Sequence, residues 1–380
     1  MALKLNDNQE MLLALVRCGM WGTGVDLPVD KIEWSKVVRM AKSQSVLGIV
    51  AKMILVDRSV SSVIPNELRL KLKSFIVSNV MTSDIMTETI KKVVSAMNDA
   101  GLHPVLLKGH GLAANYPYPQ LRQCGDVDLY VGPEKSVAAY EVLRLMTDAI
   151  EPESSARWGR HFSAFFDEIE IEVHRHTSSH AVGKYTKVYK AAAEKGFNKD
   201  LSEMPFGDVV VKTPSVNFNA YYIFDHLFEH FMTSGIGLRH LCDWVMFLHR
   251  YKDSIDREYL RDLLVEMDML EPWQAFGCII VRYLGFPVEE FPFYADSEKA
   301  DRIFEYILAE GNFGKDTPYY TRRSRNYLLT KLNAIRCHLS RGYGMLAVFP
   351  RHELRHFLYI LSNYFLHLRE DLKLKFTHGR

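Results

Sequence analysis

Two aspartates separated by one residue are the strongest candidates for chemistry in this sequence. Asp126 and Asp128 follow Gly125 and alternate with Val127 and Leu129. Side chains on a β-strand alternate between its faces, so both carboxylates would project to one face while the apolar residues face the core. Carboxylate oxygens are preferred ligands of hard divalent cations such as Mg²⁺. The segment therefore predicts a strand that presents a metal-binding pair.

A third carboxylate can come from a later segment in which acidic and apolar residues alternate. Glu170, Glu172 and His174 would share one face of a strand over residues 169–174. If this strand lies beside the aspartates, Glu172 or Glu170 would meet them across the strand pair. Three carboxylates can hold two Mg²⁺ ions about 3.5 to 4 Å apart and orient an attack on phosphorus.

A glycine-containing turn precedes the aspartates. The apolar run at residues 104–107 is followed by Lys108, Gly109, His110 and Gly111 and then by a short helical stretch. Such a turn would offer backbone N–H groups and a helix N-terminus to phosphate oxygens. The Lys108 ammonium would add positive charge at the same place, which predicts a site for a phosphorylated ligand.

The elements that must position these residues can be predicted from periodicity. Apolar residues recur at helical spacing through most of the first hundred residues and again beyond Pro214. Strands and helices interleave only between them, and a hairpin is expected around Asp167 and Glu168. We therefore predict an α+β fold with a small mixed sheet. Its parts are an N-terminal helical region (1–100), an α/β core (101–213) and a C-terminal helical domain (214–380).

The composition excludes several classes of protein. The 47 Lys and Arg residues nearly balance the 46 Asp and Glu residues, so no global charge favours long nucleic acid or an anionic membrane. Five scattered cysteines, none in a Cys-x-x-Cys arrangement, argue against disulfides and a zinc knuckle. No apolar run reaches the roughly 18 residues that a membrane span requires. We expect a cytoplasmic protein without a membrane partner.

The order of these motifs resembles a known family. Four segments occur in the same order as in an uncharacterised bacterial nucleotidyltransferase family. They are Leu106-Leu107-Lys108-Gly109, Leu121-Arg122, Gly125-Asp126-Val127-Asp128-Leu129 and Glu172-Val173-His174. This family belongs to the polymerase-β-like superfamily, so the resemblance implies a polymerase-β-like core. Two positions depart from the pattern. His110 stands where many members have a second glycine or a serine, and Glu172 stands where aspartate is common.

The resemblance also implies roles for individual residues. Asp126, Asp128 and Glu172 would be the catalytic metal ligands for Mg²⁺ or Mn²⁺. Gly109 would be the glycine of the nucleotide loop, and Lys108 and Arg122 would contact phosphate or substrate. The enzyme would transfer an NMP, as AMP from ATP or from another NTP, to a hydroxyl acceptor and release pyrophosphate. A small molecule or a protein is a better acceptor than long nucleic acid, because the chain is nearly neutral.

Two alternatives stay open at this point. The chain could be a catalytically silent nucleotide-binding or protein-interaction module that uses its helical flanks. A more remote alternative is a zinc metalloprotease, since His226, Glu229 and His230 form a His-x-x-Glu-His pattern on a helix. The density of aromatic residues around this pattern favours a packing role for its histidines. Arg239 and Asp243, four residues apart, have the spacing of an ion pair on a helix face, and the alternative is that they brace the catalytic cleft.

Overall fold

The computed structural model describes residues 3–177, 182–314 and 341–360. The helices are α1 (Asp7–Trp21), α2 (Trp34–Ser43), α3 (Leu47–Val56), α4 (Arg58–Val63), α5 (Asn66–Asp99), α6 (His110–Ala113), α7 (Ser136–Leu143), α8 (Glu153–Trp158), α9 (Lys184–Asn198), α10 (Val216–Thr233), α11 (Leu238–Tyr251), α12 (Arg257–Glu266), α13 (Leu270–Leu284) and α14 (Ala300–Glu310). Residues 341–346 and 350–360 are helical as well. The strands are β1 (Val105–Leu106), β2 (Asp126–Tyr130), β3 (His161–Phe166), β4 (Ile169–His174), β5 (Ser202–Phe206) and β6 (Val209–Thr213).

The strands form one mixed sheet in the order β3-β4-β2-β1-β6-β5. β2 runs parallel to β4 and antiparallel to β1, and β1 runs parallel to β6. The pairs β3-β4 and β5-β6 are antiparallel hairpins. The predicted α+β class with a small mixed sheet is confirmed, and so is the hairpin around Asp167 and Glu168. The hairpin β5-β6 and helix α9 were not predicted.

One face of the sheet is apolar and packs in the same hydrophobic cluster as the long helix α5. The sheet contributes the buried residues Val127, Leu129, Phe162, Ala164, Ile171 and Val173, and α5 contributes Met86, Ile90, Val93, Val94 and Met97. Because side chains alternate along a strand, burial of this face sends the acidic residues of β2 and β4 to the opposite face. The hydrophobic pattern thus fixes where the carboxylates lie.

The helices before and after the sheet share a second hydrophobic cluster. It joins residues of α1 and α3 with residues of α10, α11 and α13. Its largest fully buried side chains include Trp244 and Trp273, whose rings lie 4.8 Å apart. Every strand that the structure describes lies within the predicted core of residues 101–213. Described residues of both predicted helical regions, 1–100 and 214–380, contribute to this one cluster.

A buried glutamine connects the N-terminal helices to the rest of the chain. The Gln44 side-chain amide donates to the carbonyl oxygen of Ile307 at 2.9 Å and accepts from the backbone N–H of Leu238 at 2.9 Å. Close by, Gly48 on α3 lies against the backbone of Leu121, where a Cβ atom would overlap the Leu121 carbonyl oxygen. Only glycine allows this approach. The N-terminal helices therefore contact the segment that leads into β2.

No helix in the described ranges is long and apolar enough to cross a membrane. The four cysteines that the structure describes, Cys18, Cys124, Cys242 and Cys278, are free. Cys337 lies outside the described residues. The absence of disulfides among the four described cysteines agrees with the prediction from their spacing.

Candidate active site

The pairing of β2 with β4 brings the predicted carboxylates together. Asp128 lies opposite Glu172, and Asp126 lies opposite Glu170. Asp126, Asp128 and Glu172 all line one cavity of about 350 Å³ between the polar face of the sheet and helices α10 and α11. Glu170 is not part of the lining, and its Oε1 accepts a hydrogen bond from Ser163 Oγ at 2.7 Å. Of the two glutamates that the residue pattern left open, Glu172 is the one that lines the cavity together with the aspartates.

Asp126 carries the clearest sign of excess negative charge. Burial raises the pKa of its carboxyl, and the neighbouring carboxylates of Asp128 and Glu172 raise this pKa further. Lys108 opposes the shift without cancelling it. A site in which carboxylates repel one another to this degree gains stability from a divalent cation. The residues present therefore fit the metal that the prediction requires.

Asp128 is the most buried of the three carboxylates, with 3% of its surface exposed. His174 Nε2 lies 2.7 Å from its Oδ1, and Lys108 Nζ lies 3.4 Å from the same oxygen. Burial alone would raise the pKa of Asp128. The Lys108 charge and the hydrogen bond from His174 outweigh burial and hold this pKa well below its usual range. Lys108 and His174 therefore stabilise the charged form of Asp128.

His174 bridges two of the predicted metal ligands. Besides its bond to Asp128, its Nε2 lies 3.4 Å from Glu172 Oε2. The hydrogen bond from His174 lowers the pKa of Glu172. Burial disfavours the charged form of His174, but the hydrogen bonds to Asp128 and Glu172 outweigh it and raise the pKa of the imidazole. The alternation over residues 169–174 predicted that His174 shares this face with Glu172.

Lys108 is held between a carboxylate and an imidazole. Its Nζ lies 2.8 Å from His226 Nε2, and that nitrogen lies 3.0 Å from His230 Nε2. An ammonium group only donates, so His226 Nε2 must be the acceptor. Burial, and then the Lys108 charge, hold the pKa of His226 well below its usual range. A zinc ion bound to this imidazole would have to displace the ammonium, which removes the basis for the metalloprotease alternative.

The glycine turn is only partly directed at the cavity. Gly109 has φ +63° and ψ −122°, a conformation strained for residues with a Cβ atom, and it lines the cavity near Asp128. His110 points into the protein interior, where its Nε2 lies 2.9 Å from Thr87 Oγ1. Gly111 lies against the side chain of Leu106 on β1. The structure therefore brings Lys108 and Gly109 to the cavity, but neither the side chain of His110 nor Gly111.

Arg122 uses its charge within the protein. Its Nε and Nη2 donate to the two carboxylate oxygens of Asp243, at 3.0 and 2.6 Å. The Tyr116 hydroxyl donates to Asp243 Oδ1 at 2.7 Å. All three side chains are buried. Arg122 lines the cavity, but this two-pronged ion pair is structural support rather than an available phosphate contact.

Arg239 does not form the ion pair with Asp243 that their spacing suggested, because Arg122 occupies both oxygens of that carboxylate. Arg239 Nη1 instead donates to the backbone oxygen of Gln123 at 2.9 Å. Its Nε is buried and has no hydrogen-bond partner among the described residues. Burial, and then repulsion by Arg122, lower the pKa of Arg239. A half-buried guanidinium beside the carboxylates, with a spare donor, is suited to bind an anion.

Two further cavity residues, Arg160 and His161, were not named from the sequence. His161 lies directly opposite His174 in the β3-β4 hairpin. The pairing of His161 with His174 could have been predicted from the hairpin turn at Asp167 and Glu168, because counting outward from that turn pairs residue 161 with residue 174. Arg160 precedes β3 and has no comparable signal in the sequence.

A comparison with protein families identifies the chain. The model of a family described as uncharacterised nucleotidyltransferase matches residues 30–285, more than half of the chain. The chain belongs to this family. The matched range contains the whole sheet of the nucleotidyltransferase and both helices that cover its cavity. No curated protein and no solved structure gave a significant match. Membership makes the chain a nucleotidyltransferase and leaves its donor, metal and acceptor open.

Proposed function

We propose that this nucleotidyltransferase transfers AMP from ATP to a hydroxyl acceptor and releases pyrophosphate, with Asp126, Asp128 and Glu172 as ligands for Mg²⁺ or Mn²⁺. The observation that carries the proposal is the register of two parallel strands. It sets Asp128 beside Glu172, with Asp126 on the same face, inside a cavity that also receives cationic side chains. We place the reaction in the cytoplasm.

The metal has one chemical task in this proposal. Bound by the three carboxylates, the divalent ions would neutralise charge that develops on the entering and leaving oxygens of the phosphoryl group. The raised pKa of Asp126 supports this assignment, because repulsion among the carboxylates is relieved by a cation. The chain's own cations, considered next, would act on the other side of the substrate.

The triphosphate would lie against the positively charged part of the lining. Lys108 reaches the cavity from the turn before α6, and Arg239 reaches it from helix α11. Arg160 adds a third cation. Gly109 has no side chain to obstruct a phosphate at the turn. Arg239 takes over the phosphate contact that the sequence suggested for Arg122, since Arg122 is paired with Asp243.

The lining would orient an in-line displacement. The acceptor oxygen forms a bond to the α-phosphorus while the bond from that phosphorus to the bridging oxygen breaks, and pyrophosphate carries away the electron pair. Lys108, held by His226 at 2.8 Å, is fixed in place and can stay beside the leaving phosphates during the reaction. Such preorganised charge lowers the barrier because it does not need to reorient.

The acceptor would be a small molecule or a single protein side chain. The cavity, about 350 Å³, is at the lower end of the range that holds small ligands. A second cavity of about 860 Å³ shares His176 and Thr177 with it and offers room for an acceptor beyond the nucleotide. A long nucleic acid fits less well, because the net charge of the chain is only +1.

The test combines a transfer assay with a binding measurement. The purified chain is incubated with Mg²⁺, ATP labelled at the α-phosphate and a fractionated cell extract, and labelled products and pyrophosphate are measured. We expect a labelled acceptor with the wild-type chain and none with Asp128→Asn. Asp208→Asn, at an exposed turn aspartate paired with Lys91, is the matched control and should retain activity. Calorimetric binding of Mg²⁺-ATP without any transfer would favour the silent module instead.

A further inference from the structure

Three side chains at the end of the β3-β4 hairpin form a compact cluster of potential metal ligands. Among the residues that the structure describes, His161, Glu172 and His174 are the one set of three His, Cys, Asp or Glu residues whose ligand atoms all lie within 4.8 Å of one another. Asp126 is not part of this set. The cluster is therefore distinct in composition from the aspartate pair, although it shares Glu172 with the proposed catalytic site.

The hairpin itself creates this arrangement. His161 and His174 are directly opposite each other on antiparallel strands, and their ring centres lie 5.4 Å apart. Glu172 precedes His174 by two residues, so it projects from the same face and is a diagonal neighbour of His161. The backbone pairing extends over all six residues of each strand. The three donors are therefore held by a paired scaffold rather than by a loop.

The donor atoms indicate which kind of ion would bind. Mg²⁺ prefers oxygen ligands throughout, whereas imidazole nitrogen suits first-row transition metals. We propose that His161, Glu172 and His174 bind a divalent transition-metal ion, with Zn²⁺ as the representative, at the edge of the active-site cavity.

The position of the cluster leaves room for a ligand on the ion. All three residues line the cavity, and His161 is exposed to solvent at its edge. An ion with three protein ligands has an open coordination position, which is the feature of zinc sites that bind water or substrate. The ion would thus meet the same cavity contents as the aspartates. The binding proposal does not depend on nucleotidyl transfer, because it concerns the protein alone.

The test is a metal titration of the full chain. Zn²⁺ binding is followed by calorimetry in excess Mg²⁺, which occupies oxygen-only sites. We expect one Zn²⁺ per chain and at least roughly tenfold weaker binding for His161→Asn, since even indirect changes to metal ligands typically cost that much. His161 is exposed, so an unchanged melting curve should accompany the loss.

A matched control uses another histidine that contacts a carboxylate. His249 Nδ1 lies 2.6 Å from Glu290 Oε2 but belongs to no cluster of three ligands. His249→Asn should leave Zn²⁺ affinity unchanged. Equal affinity for the wild type and His161→Asn would overturn the proposal, as would an equal loss in His249→Asn. Asp126→Asn should still bind Zn²⁺. If the wild-type chain binds Zn²⁺ but transfers no nucleotide, the proposed function fails while the metal site stands.

Discussion

Two groups of buried charge line the same cavity and differ in how completely they are neutralised. Arg122 and Asp243 form a two-pronged pair, and Tyr116 adds a hydrogen bond to the same carboxylate. The aspartates of β2 and Glu172 make their close contacts, within the described residues, to Lys108 and His174, neither of which is paired with a single carboxylate in a two-pronged geometry. The first group is complete without a ligand, so it stabilises the fold. The second keeps an excess of negative charge, so it is prepared for a cation.

The largest effect should follow from removing a carboxylate of the incomplete group. In Asp128→Asn the side-chain oxygen can still accept the hydrogen bond from His174, but the negative charge is lost. We expect nucleotidyl transfer to fall by about 10³-fold or more, because losing a metal ligand costs several kcal/mol of transition-state stabilisation. The lost attraction to Lys108 and His174 is partly offset by the lost repulsion of Asp126, so the melting temperature should change far less than the rate. Steady-state rates and melting curves of both chains provide the measurement, and equal turnover would refute the assignment.

The next effect concerns the complete group. Arg122→Met leaves Asp243 buried without its cation, and breaking a buried pair in this way typically costs about 3 to 5 kcal/mol of unfolding free energy. Urea unfolding should detect this loss. A double variant, Arg122→Met with Asp243→Leu, should recover much of the stability because no unpaired charge remains. A single-variant loss below about 1 kcal/mol would show that the pair is not a structural support.

Arg239 tests the comparison directly, because it is a half-buried cation that forms no ion pair with a carboxylate among the described residues. Arg239→Met should leave stability nearly unchanged, since no anionic partner is stranded. It should lower kcat/KM for ATP by roughly 10- to 100-fold, as expected for about 1.5 to 3 kcal/mol from hydrogen bonds to a charged group. Kinetics at varied ATP concentration and urea unfolding separate the two effects. An unchanged KM with a large loss of stability would make Arg239 a structural residue like Arg122.

Asp225 on α10 provides a smaller, pH-dependent test, because it is buried without a cation. Its Oδ1 accepts from the Tyr221 hydroxyl at 3.0 Å. Burial, and then Glu229, raise its pKa to about 8. The folded chain thus keeps a proton on Asp225 that the unfolded chain has released. The protonated Asp225 therefore contributes to the free energy of unfolding at low pH, and this contribution is lost as pH rises toward 8.

Asp225→Asn should remove that dependence while keeping the acceptor for Tyr221. Between pH 6 and 8 the wild-type chain should lose about 1 kcal/mol of unfolding free energy per pH unit relative to the variant. Urea unfolding at several pH values measures both curves. Parallel curves would show that Asp225 is ionised in the folded chain, as the carboxylates paired with cations are.

Local periodicity was sufficient to predict the face on which the carboxylates lie. Alternation along β2 and β4 is a property of neighbouring residues, so the common face of Asp126 and Asp128 could be predicted from the sequence. Alternation alone could not choose between Glu170 and Glu172, because the register of two parallel strands depends on contacts between distant segments, and only the family resemblance pointed to Glu172. The structure resolves it by pairing Asp128 with Glu172.

The misses have specific physical reasons. Arg239 and Asp243 have the spacing of a helical ion pair, yet a guanidinium from a distant loop reaches Asp243 in a stronger two-pronged geometry. β5 was not predicted, and its Pro205 is tolerated because β5 lies at the edge of the sheet. His110 was assigned to the phosphate site from its place in the turn, but it contacts Thr87 of the helix behind the sheet.

The amide of Gln44 has a practical consequence for dissecting this enzyme. It holds the backbone of Leu238, at the start of the helix that carries Arg239, and it also holds Ile307. A fragment that begins at the sheet would lose the hydrogen-bond partner of the Leu238 N–H and the Ile307 carbonyl. It would also expose to solvent the apolar surface that the first helices cover. Gene fragments or chimaeras should therefore retain the first helices together with the sheet. Insertions near Gln44 would disturb substrate binding although they lie far from it along the chain.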